Sequence, residues 1–70
     1  MDSDDMRDAD WAIVEVLSHG RNNAPNIAEE TDYSKQYIRE RLKRLSDEGI
    51  VINIGSGIYE LVSEEVPERD

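Results

Sequence analysis

The spacing of apolar residues changes once along the chain, at Gly49, and this change constrains the fold more than any other feature of the sequence. Before Gly49 the apolar side chains recur every three or four residues, as they do on one face of an α-helix. Beyond it, two β-branched runs, Ile50–Ile54 and Ile58–Val62, flank a Gly-Ser-Gly tripeptide at residues 55–57, which predicts a β-hairpin. Helices followed by a hairpin predict a small α+β domain.

The first predicted helix spans Asp8–Ser18. Asp8 and Asp10 suit the positive end of a helix dipole, and Gly20 is a natural residue just beyond a helix end. Apolar residues at helical spacing define its buried face: Ala9, Ala12, Ile13, Val16 and Leu17, with Val14 at the edge. Trp11 lies off this face, so it either covers the edge of the domain or belongs to a contact surface.

A short second helix and a tight turn follow. Pro25 is acceptable at the first position of a helix, because its missing N–H would have no partner there. This predicts a helix over Asn26–Thr31 that buries Ile27 and Ala28. Asp32 tolerates the left-handed backbone conformation that a tight turn needs.

The third helix is predicted to span Ser34–Glu48. Ser34 is a favourable N-cap, and Gly49 supplies the stop at the other end. The core face of this helix comprises Ile38, Leu42 and Leu45. Together, the second helix, the turn and the third helix have the dimensions of a helix-turn-helix.

A single domain is predicted over residues 6–62 of the 70. Residues 1–5 and 63–70 are acidic and contain few large apolar side chains, and Pro67 interrupts regular structure, so both ends are expected to be poorly ordered. The chain contains no cysteine. Packing or association must therefore stabilise a domain whose small size leaves it only marginally stable.

Charge is distributed unevenly along the chain, whose formal net charge is −9. Residues 34–45 contain five basic residues and one acidic residue, a net charge of +4, whereas the rest of the chain contains three basic and sixteen acidic residues, a net charge of −13. The five basic residues are Lys35, Arg39, Arg41, Lys43 and Arg44. This window is either a solvated helix face or a surface that meets a polyanion, although nucleic-acid-binding domains are usually basic overall.

Several short segments together carry a family resemblance. They are Asn26–Thr31, Tyr33-Ser34, Ile38, Leu42–Leu45, Glu48–Val51 and the hairpin Ile54–Tyr59. Over about residues 8–62 the chain resembles the winged helix-turn-helix transcriptional regulators of prokaryotes. The resemblance implies three helices followed by a two-stranded β-hairpin wing. It also implies a sequence-specific DNA-binding regulator, a repressor, that reads the major groove with the helix Ser34–Glu48.

The sequence departs from the pattern of that family at four positions. Ala24 stands where Thr or Ser would cap the second helix, and Asp32 stands where the turn often has Gly. Glu40 occupies an exposed position of the recognition helix that is frequently basic in relatives. Ser56 occupies the wing tip, where Arg or Lys would make a better phosphate contact.

The candidate DNA-binding residues lie on the outer side of the third helix and at the wing tip. They are Ser34, Lys35, Gln36, Tyr37, Arg39, Glu40, Lys43 and Ser56. Gln36 can pair with adenine and Arg39 with guanine, while Glu40 can accept from cytosine or restrain Arg39. Ser34 and Lys35, together with the free N–H groups of the first turn, suit phosphate oxygens.

Several residues on or near these surfaces admit two interpretations. Tyr37 suits a half-buried packing position as well as a DNA contact. Arg41 and Arg44 point sideways, so they either pair with the acidic body or follow the DNA backbone. Asn53 and Ser56 either touch phosphate or the minor groove, or serve only the strand and the turn.

The acidic composition indicates the solvent in which binding would occur. The Arg-over-Lys, cysteine-free composition is similar to that of proteins from halophilic archaea, in which small phage-repressor-like winged-helix proteins are common. A body of net charge −13 repels DNA at low ionic strength, whereas at about 1 M salt the Debye length falls to about 3 Å and direct contacts dominate. Binding is therefore expected to weaken little, or to strengthen, as KCl rises.

The hairpin and Trp11 offer a different kind of surface. In a simple alternating hairpin, Val51, Tyr59 and Leu61 face the core, whereas Ile52, Ile54 and Ile58 share the other face unless a bulge at the glycines rearranges the pairing. Three isoleucines on an outer face suggest a homodimer or a protein partner through the wing or through Trp11. The alternative function is a winged-helix protein–protein interaction module that does not bind DNA directly.

Catalytic chemistry has little support in the sequence. His19, the single histidine, adjoins a helix end, where it suits a solvated or C-capping role. Asp2, Asp4 and Asp5 form an acidic cluster that is expected to stay disordered rather than to hold a cation. No catalytic, cofactor-binding or metal-binding residue and no small-molecule ligand is predicted, so the protein is not expected to be an enzyme.

The expected location is cytoplasmic. No segment approaches the run of about 20 apolar residues that a membrane helix needs, and the acidic N-terminus has the wrong charge for a signal peptide. Double-stranded DNA is the expected partner.

Overall fold

The structure, a computed structural model, describes residues 1–69. Three α-helices precede a small antiparallel sheet, as the change in apolar spacing predicts. The helices are α1 (Asp8–Ser18), α2 (Ala24–Thr31) and α3 (Lys35–Asp47), and the strands are β1 (Asn22–Asn23), β2 (Val51–Gly55) and β3 (Ile58–Leu61). Short 3-10 turns occupy Ser3–Asp5 and Ser63–Glu65.

The ends of α1 and α3 follow the local signals in the sequence. The bounds of α1 are those predicted, and the N–H of Arg7 donates to the Asp10 carboxylate at 2.8 Å just before its first turn. Ser34 caps α3, since its hydroxyl oxygen accepts the N–H of Tyr37 at 3.1 Å. Gly49 follows the helix with φ of +78°, a conformation that glycine adopts without strain.

The start of α2 corrects one expectation. Ala24 is the first residue of the helix rather than its cap, and Asn23 provides the cap by accepting the N–H of Asn26 at 2.8 Å. Asp32 ends the helix with φ of +63°, so the left-handed turn predicted there is confirmed. The turn that leads into α3 is therefore shaped by an aspartate in place of a glycine.

The sheet contains one strand more than the predicted hairpin. Its order is β1-β3-β2, and Asn22 and Asn23 pair antiparallel with Tyr59 and Ile58. Two residues are too short to show an alternating pattern, so the sequence alone did not identify this strand. It ties the segment before α2 to the hairpin.

The hairpin turns through two residues of positive φ, Ser56 (+55°) and Gly57 (+74°), the combination found in type I′ turns. Asn53 pairs with Tyr59 and Gly55 with Ile58, so Ile54 is the extra residue of a β-bulge. The rearrangement by a bulge that was left open from the sequence is therefore present.

The core lies between the three helices and the inner face of the sheet. Its largest side chains are Met6, Ile13, Leu17, Ile27, Ile38, Leu42, Leu45, Ile50 and Val51. Tyr59 and Leu61 pack against this core, as predicted for the inner hairpin face, whereas Ile52 and Ile54 remain 46% and 43% exposed. On α1, the predicted core residues Ala12 and Val16 are only half-buried.

Each terminal segment contains a short 3-10 turn, and the expectation that both segments are poorly ordered stays a prediction. Met1 and Val66 pack against the core, which gives each acidic end an apolar anchor. The guanidinium of Arg69 lies 4.9 Å from the ring centre of Trp11, so this indole is covered within the chain. Asp70, the last residue of the predicted tail, lies outside the described residues.

Candidate nucleic-acid interface

The orientation of α3 follows from its buried stripe. Ile38, Leu42 and Leu45 are fully buried against α1, α2 and the sheet, so the opposite side of the helix faces solvent. The predicted site residues on that side are all exposed: Lys35, Gln36, Arg39, Glu40 and Lys43. Helical spacing of three to four residues places them on one continuous surface.

The first turn of α3 presents hydrogen-bond donors. Ser34 occupies its capping position, and the cap leaves the N–H groups of Lys35 and Gln36 without carbonyl partners in the helix. These N–H groups lie at the positive end of the helix dipole. Such an arrangement is able to bind an oxyanion, which stays a prediction for this helix.

Tyr37 is half-buried at the edge of this surface. Its ring centre lies 5.6 Å from that of Tyr33, with an angle of 51° between the ring planes. This tilted contact is a favourable aromatic packing geometry. The structure therefore supports the packing interpretation for the ring of Tyr37.

Two of the five basic residues on α3 form ion pairs within the chain. The Nε and Nη2 atoms of Arg41 donate to the two carboxylate oxygens of Asp10 at 2.7 and 2.6 Å, which joins α3 to the start of α1. These hydrogen bonds raise the pKa of Arg41, against the opposing effect of burial. Arg44 lies 3.8 Å from Glu48. The structural-pairing interpretation of these two arginines is thus the one that the structure supports.

The other three basic residues, Lys35, Arg39 and Lys43, form no ion pair within residues 1–69. Glu40 does not restrain Arg39 through an ion pair in this part of the chain either. The basic residues of α3 without an ion-pair partner therefore lie on its solvent-facing side, together with Glu40, while Arg41 and Arg44 each have a carboxylate partner.

Arg39 and Lys43 also line a groove between α3 and the hairpin. The groove has a volume of about 460 Å³. Its other lining residues come from the start of α2, the end of α3 and the hairpin: Ala24, Pro25, Ser46, Asp47, Asn53, Gly57 and Tyr59. The sequence pattern did not predict this groove or the part that Tyr59 plays in it, because the groove depends on how the hairpin packs beside the helix.

Ser56 is placed differently from the other predicted site residues. It lies exposed at the tip of the hairpin, and the groove is lined by its neighbour Gly57 rather than by Ser56 itself. Asn53, for which the sequence left two interpretations, lines the groove, and its side-chain oxygen accepts the N–H of Gly55 at 2.9 Å.

Other kinds of site find no geometric support in the described chain. Residues 1–69 contain no group of three or more His, Cys, Asp or Glu side chains arranged to hold a metal ion. No helix in this range is both long enough and apolar enough to cross a membrane.

Comparison with known proteins agrees with the architecture. Residues 6–52, which include all three helices and the start of β2, match the family model described as winged helix-turn-helix DNA-binding. Searches of the curated proteins and of the solved structures found no significant match. The match covers well over half of the 70 residues, and the chain therefore belongs to the winged helix-turn-helix DNA-binding family.

Proposed function

We propose that this protein is a sequence-specific transcriptional regulator, a repressor, that reads the major groove of double-stranded DNA with α3 and works at high salt. The observation that carries the proposal is the sorting of charge on α3. Arg41 and Arg44 are paired within the chain, whereas Lys35, Arg39 and Lys43 are exposed without ion pairs in residues 1–69. A polyanion is the natural partner for such a face.

The polar side chains on this face suit base recognition. The major groove of B-DNA is wide enough for an α-helix, and residues of its first two turns reach the base edges. In this arrangement Gln36 pairs with the N6 and N7 atoms of adenine, and Arg39 pairs with the O6 and N7 atoms of guanine. Glu40 accepts from the N4 amino group of cytosine. Each well-formed pair contributes roughly 1–3 kcal/mol of discrimination.

The groove beside α3 suits the sugar-phosphate backbone. Lys43 supplies positive charge along the α3 wall, beside the acidic Asp47, and Tyr59 and Asn53 from the hairpin supply polar groups along the other wall. Ser34 and Lys35 bind a second phosphate position at the start of the helix. Phosphate contacts on both sides of α3 fix its register along the duplex, so the base contacts can select a sequence.

The repressor role is inferred from the simplest way in which a bound DNA-binding domain can affect transcription, which is to block access to the DNA. A protein that occupies a promoter site excludes polymerase without a further contact, and the resemblance to phage-repressor-like proteins of halophilic archaea agrees with this use. The acidic body fits a salt-rich cytoplasm, because screening there removes its repulsion from DNA.

The test is a selection of bound sequences from random duplex DNA at about 1 M KCl, with the chain and with the double variant R39A/K43A. The matched control is R21A/R44A, which removes the same charge from two exposed arginines that pair with Glu60 and Glu48. We expect the chain and the control to enrich one common sequence. We expect R39A/K43A to lose at least tenfold in affinity for that sequence, the equivalent of roughly one good base contact.

Major-groove reading is tested on the enriched sequence itself. Replacing guanine by 7-deazaguanine removes the N7 acceptor and leaves the minor groove unchanged, so it should weaken the wild-type protein and have little further effect on R39A. If no sequence is enriched, or if R39A/K43A enriches the same sequence with unchanged affinity, the proposal is wrong. The protein-interaction module is then the better account of the domain.

A further inference from the structure

The outer strand of the sheet has an open edge with exposed apolar side chains. In the order β1-β3-β2, strand β2 pairs only with β3, so its other edge has no strand partner in residues 1–69. Ile52 and Ile54 on this strand are the only exposed large hydrophobic residues in the described chain. Unpaired edges with apolar side chains tend to pair with another strand unless charges or proline prevent it.

The charge around this edge indicates which partner it can accept. Residues 50–59 contain no charged residue, although 36% of the chain is charged. Glu60, which follows this segment and lies opposite Ile52 on β3, is paired with Arg21 at 3.1 Å. In a protein of net charge −9, the same uncharged segment of two copies can meet without bringing acidic residues of that segment together.

We propose that the protein forms a symmetric homodimer in which the β2 edges of two copies pair antiparallel about a two-fold axis at Asn53. This register places Ile52 of each copy opposite Ile54 of the partner subunit. The contact is isologous, because the same patch serves both copies. The result is a continuous six-stranded sheet.

The geometry of β2 also limits the area that this contact buries, and hence its affinity. The bulge at Ile54 bends the strand near the tip, so the regular edge is short and the buried area small. The dimer is therefore weak, with half-association at roughly 0.1–1 mM protein. It strengthens as salt rises, because screening reduces the repulsion between two acidic bodies.

The proposal goes beyond the proposed function, and its test uses no DNA. Sedimentation equilibrium from about 10 µM to about 1 mM protein, at about 0.2 M and about 2 M KCl, measures association of the full chain. The variant I52T/I54T keeps β-branched residues on the strand but removes apolar surface, and we expect its association to be about tenfold weaker or more. The matched control V14T makes a similar change on the half-buried edge of α1 and should associate like the wild type.

A disulfide cross-link tests the register. Because the chain contains no native cysteine, any cross-link must form through the introduced thiols. Directly opposed residues of an antiparallel pair lie within disulfide range. We therefore expect N53C to form dimers on mild oxidation much faster than E29C, whose thiol would lie exposed on α2. Circular dichroism verifies that each variant is folded.

Three results would overturn the proposal. One is a wild-type chain that remains monomeric at about 1 mM in about 2 M KCl. Another is association that I52T/I54T does not weaken, which would assign the contact to a different surface. The last is N53C cross-linking no faster than E29C, which would exclude this register of the β2 edges.

Discussion

Asp10 is the only charged side chain that is fully buried in residues 1–69, and it forms an ion pair that joins α1 to α3. Its carboxylate accepts three hydrogen bonds, one from the N–H of Arg7 and two from the guanidinium of Arg41. The Oδ2 atom accepts two of these hydrogen bonds and the Oδ1 atom accepts one. A buried charge in this state is tolerated because its partner is correctly oriented and itself only 12% exposed.

The buried pair predicts a strongly asymmetric response to substitution. The variant R41M leaves the Asp10 carboxylate buried without its counter-charge, and we expect it to lower the free energy of unfolding by roughly 3–5 kcal/mol. The double variant D10N/R41M removes both charges while Asn keeps an acceptor for the N–H of Arg7. It should recover much of that loss. Urea denaturation followed by circular dichroism measures both.

A double variant no more stable than R41M would contradict this account, because it would show that packing of the Arg41 side chain, rather than its charge, holds the helices together. The sequence offered a structural role for Arg41 as one of two interpretations but did not identify its partner. Asp10 was interpreted as a residue that favours the start of α1, and only the packing of α1 against α3 brings the two side chains together.

At the scale of the elements, the start of α2 depends on a small asparagine network. Asn23 caps the helix, and the side-chain oxygen of Asn22 accepts both the N–H of Asn23 at 2.9 Å and the side-chain amide of Asn26 at 2.8 Å. The same two residues, Asn22 and Asn23, pair with β3. The network therefore joins the helix-turn-helix to the wing.

The cap gives a measurable contribution to stability. We expect Asn23→Ala to lower the free energy of unfolding by about 1 kcal/mol, because the N–H of Asn26 loses its acceptor. The control Asn23→Ser keeps a side-chain oxygen at the same position and should lose much less. Thermal denaturation checks the pair, since a change of that size shifts the midpoint by about 4–8 °C in a domain of this length. Equal shifts for both variants would show that the asparagine acts through something other than the cap.

How far the sequence predicts these elements depends on how local their causes are. The bounds of α1, the Ser34 cap and the turn at Asp32 were predicted, because each depends on residues within one helical turn. Strand β1 and the Asn23 cap were missed. Two residues show no periodicity, and the expected capping position was off by one residue because Pro25 occupies the second position of α2 rather than the first.

In the candidate interface too, the sequence predicted the features that have local causes and missed those that depend on contacts between distant elements. The exposed face of α3 was predicted from the spacing of Ile38, Leu42 and Leu45, since burying one face of a helix exposes the opposite one. The groove between Lys43 and Tyr59 was not predicted, because it arises from the placement of the hairpin beside the helix. Likewise, which arginines are neutralised depends on contacts between elements that are distant in sequence.

For the whole molecule, the charges form two opposed sets. Pairing of Arg41 and Arg44 leaves three cations and one acidic residue, Glu40, on the outer side of α3, and most of the other acidic residues lie elsewhere on the surface. The three cations act over the short distances of direct contact, whereas the acidic body acts at long range. Salt screens the long-range repulsion by the acidic body more than it screens the direct contacts of the cations. The net charge of −9 therefore describes behaviour in dilute buffer rather than the character of the binding face.

This separation of ranges predicts an unusual dependence of DNA affinity on salt. Neutralisation of DNA charge by the three cations alone would give a slope of log affinity against log salt of roughly −2.7, or about a 500-fold loss for a tenfold rise in KCl. Repulsion by the acidic body falls over the same interval and offsets that loss. We expect the affinity for the selected sequence, measured by fluorescence anisotropy, to stay level or to rise between about 0.2 and about 2 M KCl.

A charge variant remote from α3 shows whether the body is responsible. Glu64, Glu65 and Glu68 are exposed beyond β3, and E64Q/E65Q/E68Q removes three negative charges without changing α3. This variant should bind more tightly than the wild type at low KCl and equally at high KCl, because at about 1 M salt the Debye length of about 3 Å removes the influence of remote charges. A steep loss of wild-type affinity with salt, or a constant ratio between the two proteins, would show that long-range repulsion does not govern binding. In that case the acidic composition would have to be explained by solubility alone.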